Sequence, residues 1–195
     1  MKVFISVLCI LFSFSIAQKA NGQESKFLLI LKTEAEWTFD KELKTLPNIQ
    51  WIAHNATSES WWLIHTKSWE EMQEIQSAIR NAIEVDNKTE LFQVNEIGNL
   101  NLAKGDTIQT LRYHFLEYGI KMIDPADDGS AFRDRLNSHI EHTQWLVSDQ
   151  FEGFMLAQMD DTKQLKNAVN NDPQIRNLKL SAQIDSMQII YIAKK

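Results

Sequence analysis

The segment IQWIAHNATSESWWLIHT (residues 49–66) decides the fold of this chain. Two runs rich in tryptophan and isoleucine flank the polar ATS, and this pattern predicts a β-hairpin. Successive side chains of a strand point to opposite faces, so Trp61 and Leu63 share one face while Trp62 and Ile64 share the other. Both faces are therefore apolar, whereas a half-exposed sheet would alternate between apolar and polar residues.

The hairpin lies within a β-α-β-β-α-β order of predicted elements, which is the ferredoxin-like plan. In residues 26–100 the outer strands are FLLILK and ELFQVNEI, and the helices are TFDKELKTL and SWEEMQEIQSAIRNAI. The same order recurs in residues 106–195, as TLRYHFLEY, SAFRDRLNSHI, TQWLVSD, EGFMLAQM, DTKQLKNAVNN and LKLSAQIDSMQIIYIA. We therefore predict two ferredoxin-like units of similar plan.

The apolar strands of each unit need a cover on both faces. Two helices can cover only one face of a four-stranded sheet, so the other face would remain in water unless something else packs on it. The economical cover is the sheet of the other unit. We predict an α+β fold in which two ferredoxin-like βαββαβ units pack sheet to sheet as an intramolecular dimeric α/β barrel, with the tryptophans in the core.

The first 22 residues have the features of a secretory signal peptide. Lys2 precedes an apolar run, residues 3–16, that is shorter than the roughly 20 residues of a membrane-spanning helix. Cleavage after Ala17 and after Gly22 both fit, and an uncleaved anchor is the alternative. We expect a secreted or periplasmic bacterial protein without membrane contact after cleavage. The only cysteine, Cys9, lies in this segment, so the mature chain has no thiol.

Charge and motifs exclude several classes of function. The net charge is -6, and the basic residues are scattered among acidic ones, so nucleic acid is not expected as a partner. The chain has no phosphate-binding glycine loop, haem-attachment motif, nucleophile elbow or zincin helix. His139 and His142 have no third ligand at a suitable spacing. We therefore expect no metal and no cofactor, and the sequence leaves a homo-oligomer open.

The stretch EGFMLAQMDDTKQLKNAVNNDPQIRNLKLSAQIDSM (residues 152–187) resembles the YCII-related family of small α+β proteins. The matching features are the strand Gly153-Phe154-Met155-Leu156, a helix ending at Asp172-Pro173, and a closing strand. RYHFLEYG is similar to the first strand of that family. The resemblance covers the second unit, and the first unit, which matches only in plan, would be a degenerate copy.

The resemblance implies a dimeric α/β barrel, in agreement with the strand pattern. It also implies a site that pairs a histidine early in the chain with the aspartate of the Asp-Pro pair, for acid–base chemistry on a small organic substrate. Asp172 matches that aspartate directly. No histidine matches in position, because His139 and His142 lie too close to the second hairpin and His114 lies in the strand before them.

Asp172 and His114 are nevertheless the best candidates for proton transfer. Arg112 and Tyr118 share the strand face of His114, and together these three would offer an anionic or carbonyl ligand a cation, a titratable group and a hydroxyl. The structural alternatives are that Asp172 is a helix N-cap followed by proline, and that the strand face of His114 is partly solvated. His65, on the face of Trp61, reads as a core histidine.

Two functional hypotheses remain. The first is an exported enzyme that performs acid–base chemistry on a small organic molecule, in a pocket between the sheet and helices of the second unit. The second is a non-catalytic periplasmic or secreted protein that binds a ligand or a partner and keeps the fold without the family histidine. The position of Asp172, His114 and Arg112 relative to a shared cavity separates the two.

Overall fold

The computed structural model describes residues 24–32, 48–55, 59–83, 88–114, 130–148, 152–159, 161–172 and 181–193. The predicted signal peptide, the predicted helix at residues 38–46 and Tyr118 lie outside these ranges. Within them, no helix is both long and apolar enough to cross a membrane.

Eight strands and three helices occupy the described residues. The strands are β1 (Ser25–Lys32), β2 (Ile49–His54), β3 (Glu59–Thr66), β4 (Lys88–Gly98), β5 (Thr107–His114), β6 (Thr143–Ser148), β7 (Glu152–Ala157) and β8 (Ser181–Ile192). The helices are α1 (Trp69–Ile83), α2 (Ser130–Asn137) and α3 (Thr162–Asn171).

The strands form one closed antiparallel barrel in the order β1-β3-β2-β8-β5-β7-β6-β4. Each predicted unit keeps the ferredoxin-like arrangement, β4-β1-β3-β2 in the first and β8-β5-β7-β6 in the second. The units meet edge to edge at the pairs β2–β8 and β4–β6. This confirms the predicted α+β intramolecular barrel, and closure leaves no unpaired sheet edge among the eight strands.

Side chains from both units fill the barrel interior. Trp61 and Phe92 of the first unit contact Phe154 of the second, with ring centroids 5.5 Å and 4.9 Å apart. The other members of this buried cluster are aliphatic except for Trp51 and Met187. They are Leu28, Ile30, Trp51, Ala53, Leu63, Val94, Leu100, Ile108, Leu146, Leu156, Met187 and Ile189. The prediction that the tryptophans of the first hairpin are core residues is confirmed for Trp51, Trp61 and Trp62, all of which are buried.

The helices cover the outside of the barrel. Met72, Ile75 and Ile79 of α1 pack on a cluster that includes Trp62 and Ile64 of β3. In the second unit, α2 and α3 contribute a second outer cluster, whose members from helices and strands are Phe132, Leu136, Leu165, Val169, Leu111, Tyr113, Trp145, Met155 and Ala157. The apolar outer faces of β3, β5, β6 and β7 therefore lie under helices, while the outward residues Gln93, Asn95 and Ile97 of β4 are exposed.

Gly153 of β7 has a packing role. It pairs with Tyr113 of β5, and the Tyr113 ring occupies the space where a side chain at position 153 would begin: a Cβ there would lie 1.9 Å from Cζ. Tyr113 is held in turn by edge-to-face contacts with Phe132 and Trp145. The glycine at position 153 is therefore explained by steric contact beneath α2.

We expect Gly153→Ala to lower the free energy of unfolding by about 1–3 kcal/mol, because the new methyl group must displace the buried Tyr113 ring. Urea unfolding followed by circular dichroism measures the change. In a Tyr113→Leu background the same substitution should cost much less. An equal cost in both backgrounds would mean that the ring contact is not the cause.

Candidate functional site

Asp172 links the two helices of the second unit. Its backbone N–H donates to the Val169 carbonyl at the C-terminus of α3, and its side chain is buried. The carboxylate accepts two hydrogen bonds from Arg135 of α2, from Nε at 2.7 Å and from an Nη at 3.3 Å. Such a bidentate pair fixes geometry as well as charge. Asp172 therefore belongs to the helix layer. The alternative that it is the N-cap of a helix beginning at Pro173 concerns residues outside the described ranges.

Arg112 and His114 lie on the other side of the sheet. Their neighbours on β5, Leu111 and Tyr113, pack under α2 and α3, so Arg112 and His114 leave the strand on the barrel side. The Arg112 guanidinium forms an ion pair with Glu90 and lies 5.5 Å from the centroid of the Phe92 ring. This contact with an aromatic face is a cation–π interaction.

The structure does not bring the predicted acid–base pair together. The sheet lies between Asp172, in the helix layer, and the barrel-side residues Arg112 and His114. Asp172 instead borders a groove of about 350 Å³ between α2 and α3, together with Arg135, His139, Gln164 and Asn167. Asp172 therefore does not share a pocket with His114 and Arg112, because it lies on the opposite side of the sheet.

A larger cavity, about 620 Å³, lies at one end of the barrel. At this end of the barrel the inward positions become polar, and the residues there are Lys26 of β1, His65 of β3, Glu96 of β4 and Gln144 of β6. Each lies two residues from a core residue of its own strand, so its side chain is on the interior face. The lining comprises Lys26, Gln50, Trp51, Glu96, Gly98, Asn99, Leu100, Asn101, Leu102, Gln144, Ile192 and Ala193.

A polar network joins the two units at this end. Glu96 forms an ion pair with Lys26 and accepts a hydrogen bond from Gln144 Nε2 at 2.7 Å. Its Oε2 is also 4.0 Å from His65 Nε2. Gln50 Nε2 donates to His65 Nδ1 at 2.8 Å. The charges of the Lys26 ammonium and the Glu96 carboxylate compensate each other. The other groups of the network are the side-chain amides of Gln50 and Gln144 and the neutral imidazole of His65.

His65 is held in its neutral form. Burial lowers its pKa below the ordinary 6.5, and the nearby Lys26 ammonium lowers it further, against the opposing effect of Glu96 and Glu24. Because Gln50 donates to Nδ1, the ring proton lies on Nε2. In this neutral form the hydrogen-bond donor of the His65 ring is Nε2.

Two buried donors at this end have no acceptor among the described residues: Trp51 Nε1 and His65 Nε2. Only 4% of the surface of Trp51 is exposed. A buried donor without an acceptor costs about 1–3 kcal/mol, so natural structures contain few of them. Trp51 lines the cavity and His65 does not, and neither nitrogen atom is accessible from it.

The segment between the two units forms the apolar wall of the cavity. Leu100 is buried, and Leu102 packs with Ile192 of β8 against the barrel interior. The turn that follows is tied to β8, because Gly105 N–H donates to the Ile189 carbonyl and Ile189 N–H donates to the Asp106 carbonyl, each at 2.8 Å. This wall is therefore fixed to the barrel by backbone hydrogen bonds.

Among the described residues, no group of three or more histidine, cysteine, aspartate and glutamate side chains is placed to hold a metal ion.

Sequence reasoning missed this end of the barrel. It treated His65 as a core histidine and gave no role to Lys26, Gln50, Glu96 or Gln144. One signal could have found four of these residues, Lys26, His65, Glu96 and Gln144: a polar residue at an inward position near the end of an otherwise apolar strand, repeated on β1, β3, β4 and β6. The missing step was the strand order, which places those ends side by side.

Comparison with known proteins supports the fold. No protein-family model matches the chain, and no curated protein matches its sequence. Solved structures do match: a candidate monooxygenase from Lactobacillus acidophilus NCFM has a TM-score of 0.52 at 7% identity, with 88% of this chain and 97% of that chain covered. An anthrone oxidase-like protein has a TM-score of 0.52 at 10% identity, with 90% and 94% covered.

A mutant chlorite dismutase from Candidatus Nitrospira defluvii likewise has a TM-score of 0.52 at 10% identity, with 85% of this chain and 91% of that chain covered. At these identities the likeness shows a shared dimeric α/β barrel fold. The narrower resemblance to the YCII-related family stays a prediction.

We expect the free energy of unfolding to fall as the pH is lowered below about 6.5. The folded-state pKa of His65 lies below the ordinary value, as does that of His54, which is lowered mainly by burial. The unfolded chain therefore binds protons first as the pH falls. His65→Gln should flatten this dependence by at most about 1.4 kcal/mol per pH unit, the slope for one proton. Urea unfolding between pH 7 and pH 5 measures it.

His139→Gln, at an exposed position in the groove beside Asp172, controls for the loss of an imidazole as such. A slope that is the same in His65→Gln and in the wild type would contradict the assignment of a buried neutral histidine.

Proposed function

We propose that the protein binds a small organic molecule in the cavity at the barrel end formed by Lys26, Gln50, Trp51, Glu96 and Gln144. The volume of about 620 Å³ falls within the usual range of roughly 300–1,000 Å³ for small-molecule sites. An apolar wall with a few convergent polar groups is also typical of such sites, and the mouth of a barrel is one of the places where they occur.

The observation that carries the proposal is a set of polar side chains from both units, Lys26, Glu96 and Gln144, at inward positions that line the cavity. A purely structural barrel end has no need of them, because apolar residues of the same shape would avoid the cost of burial. The surrounding Lys26–Glu96–Gln144 contacts are satisfied and would hold the site in shape before a ligand arrives.

Acid–base chemistry at this site would involve His65. Its Nδ1 is fixed by Gln50, and Nε2 faces towards Glu96, so the imidazole has the orienting partner that a general acid or base requires. The solved structures of similar fold include proteins named as oxidase-like, monooxygenase and chlorite dismutase, all names for reactions of small molecules. In the non-catalytic alternative His65 serves binding alone, and its loss weakens affinity without affecting any turnover.

A second candidate site is the groove beside Asp172. The YCII-like Asp172 faces it together with His139, whose backbone carbonyl accepts a hydrogen bond from Gln164. The pairing with Arg135 favours a structural role, because both carboxylate oxygens already accept hydrogen bonds. An acid–base role for Asp172 would therefore need His139, on the same side of the sheet, in place of His114.

The proposed setting is the periplasm or the exterior of a bacterial cell. It rests on the signal-peptide pattern of residues 1–22.

Two tryptophan substitutions separate the two sites. Leu102→Trp fills the barrel-end cavity, and Ala168→Trp fills the groove beside Asp172. A small molecule found by thermal-shift screening should raise the melting temperature of the wild type and of Ala168→Trp by roughly 5–10 °C at one hundred times its Kd. It should not raise that of Leu102→Trp.

The opposite pattern, with binding lost only in Ala168→Trp, would move the function to the Asp172 groove. Circular dichroism of the unliganded variants controls for misfolding, and retention of binding by both variants would contradict both sites.

A further inference from the structure

We propose that the ligand of the barrel-end cavity is an uncharged molecule rich in hydroxyl groups, with the size and chemistry of a sugar. This inference rests on the proposed function and adds the chemical class of the ligand.

Carboxamide side chains form most of the polar lining of this cavity. They belong to Gln50 of β2, to Gln144 of β6, and to Asn99 and Asn101 of the segment that connects the two units. In the closed strand order β2 and β6 lie on opposite sides of the barrel, so the amides do not share one wall. A carboxamide offers an acceptor oxygen and a donor nitrogen without carrying a charge. This lining therefore suits a neutral ligand that forms hydrogen bonds at several points.

The carbonyl oxygens of the two glutamines are open to a ligand. The side-chain nitrogen of Gln50 donates to His65, and that of Gln144 donates to Glu96. Within the part of the chain that the structure describes, neither glutamine oxygen accepts a hydrogen bond. In contrast to Trp51 Nε1 and His65 Nε2, neither oxygen is enclosed, so both have accessible surface. These two positions favour a ligand that donates hydrogen bonds.

The two asparagines add groups that donate as well as accept. Asn99 and Asn101 are exposed, and their side chains form no hydrogen bond with the other described residues. They alternate with Leu100, which is buried, and with Leu102, which packs against the barrel interior. The leucines therefore anchor the backbone that carries both amides to the cavity.

The charged groups of the lining cancel each other. Among its described residues Lys26 is the one cation and Glu96 the one anion, and the two form an ion pair. A carboxylate ligand would compete with Glu96 for the lysine, and an ammonium ligand would compete with Lys26 for the glutamate. Separating a partly buried ion pair is costly, so the lining favours an uncharged ligand.

Several hydroxyl groups fit this arrangement better than one carbonyl or amide group. A hydroxyl both donates and accepts, so it can bond to either end of a carboxamide. A ketone has no donor for the glutamine oxygens, and a single amide group serves one side of the cavity at a time. Hydroxyls around a small ring serve both sides, while the C–H face of the ring packs on Leu102 and Ile192.

Titration of the intact protein with small ring compounds tests the inference. The uncharged probes are the methyl glycosides of glucose, galactose and mannose, the charged probes are glucuronate and glucosamine, and cyclohexanol is a ring with a single hydroxyl. At least one methyl glycoside should bind more tightly than glucuronate, glucosamine and cyclohexanol. It should also move the side-chain amide resonances of Asn99 and Asn101 in a 1H–15N correlation spectrum, with each resonance assigned from its loss in the alanine variant.

Asn99→Ala and Asn101→Ala should each bind that glycoside roughly two- to tenfold more weakly, because a hydrogen bond to a neutral partner is lost. Both positions are exposed, so these variants should fold as the wild type does. Asn95→Ala is the matched control, because it removes an exposed asparagine from the outer face of β4, and it should bind the glycoside with unchanged affinity.

The sugar assignment would be overturned if a charged probe or cyclohexanol bound more tightly than every methyl glycoside, or if none of the probes bound. An unchanged glycoside affinity in both asparagine variants, or equal glycoside binding by Leu102→Trp, would also overturn it. The proposed function is tested separately, since it is overturned when a ligand found by screening without regard to chemical class binds Leu102→Trp as tightly as the wild type.

Discussion

The structure depends on one constraint: both faces of each four-stranded sheet carry apolar side chains that must be buried. Helices cover the outer faces, as α1 does over Trp62 and Ile64. The inner faces cover each other, with Trp61 and Phe92 of one unit packed on Phe154 of the other. Hydrogen bonds between β2 and β8 and between β4 and β6 then pair the four strands that would otherwise be edges.

The same constraint creates the candidate site. Apolar side chains can fill the middle of the barrel, but towards its ends the interior approaches solvent and polar residues take the inward positions. At one end these residues are close enough to bond across unit boundaries, as Glu96 does with Gln144. The barrel-end cavity therefore depends on closure of the barrel, because its network contains side chains from both halves of the chain.

Much of the fold could be predicted from sequence because it follows from local alternation. The two-faced pattern of Trp61, Trp62, Leu63 and Ile64 was sufficient to predict that another sheet must pack on this one. The pairs β2–β8 and β4–β6 were not predictable, because they join strands far apart in the chain and no short-range pattern encodes their register. The need for glycine at position 153 likewise became clear only when Tyr113 was found opposite it.

The site was harder to predict for the same reason. Asp172 was predicted as a site residue from the Asp172-Pro173 pair, but its partner Arg135 is 37 residues away and lies on another helix. His114 and Asp172 are both titratable and lie in the same unit, and only the strand parity of β5 shows that the sheet separates them. His65 resembled an ordinary core histidine because its contacts, Gln50 and Glu96, come from other strands.

Native-state hydrogen exchange tests barrel closure most directly, through the backbone amides that join β2 to β8 and β4 to β6. If the two units form one closed barrel, these amides should exchange only through global unfolding, with the same protection as the central strands β1 and β5. Fast exchange at both junctions, with β1 and β5 still protected, would show two sheets that pack without joining and would contradict the account.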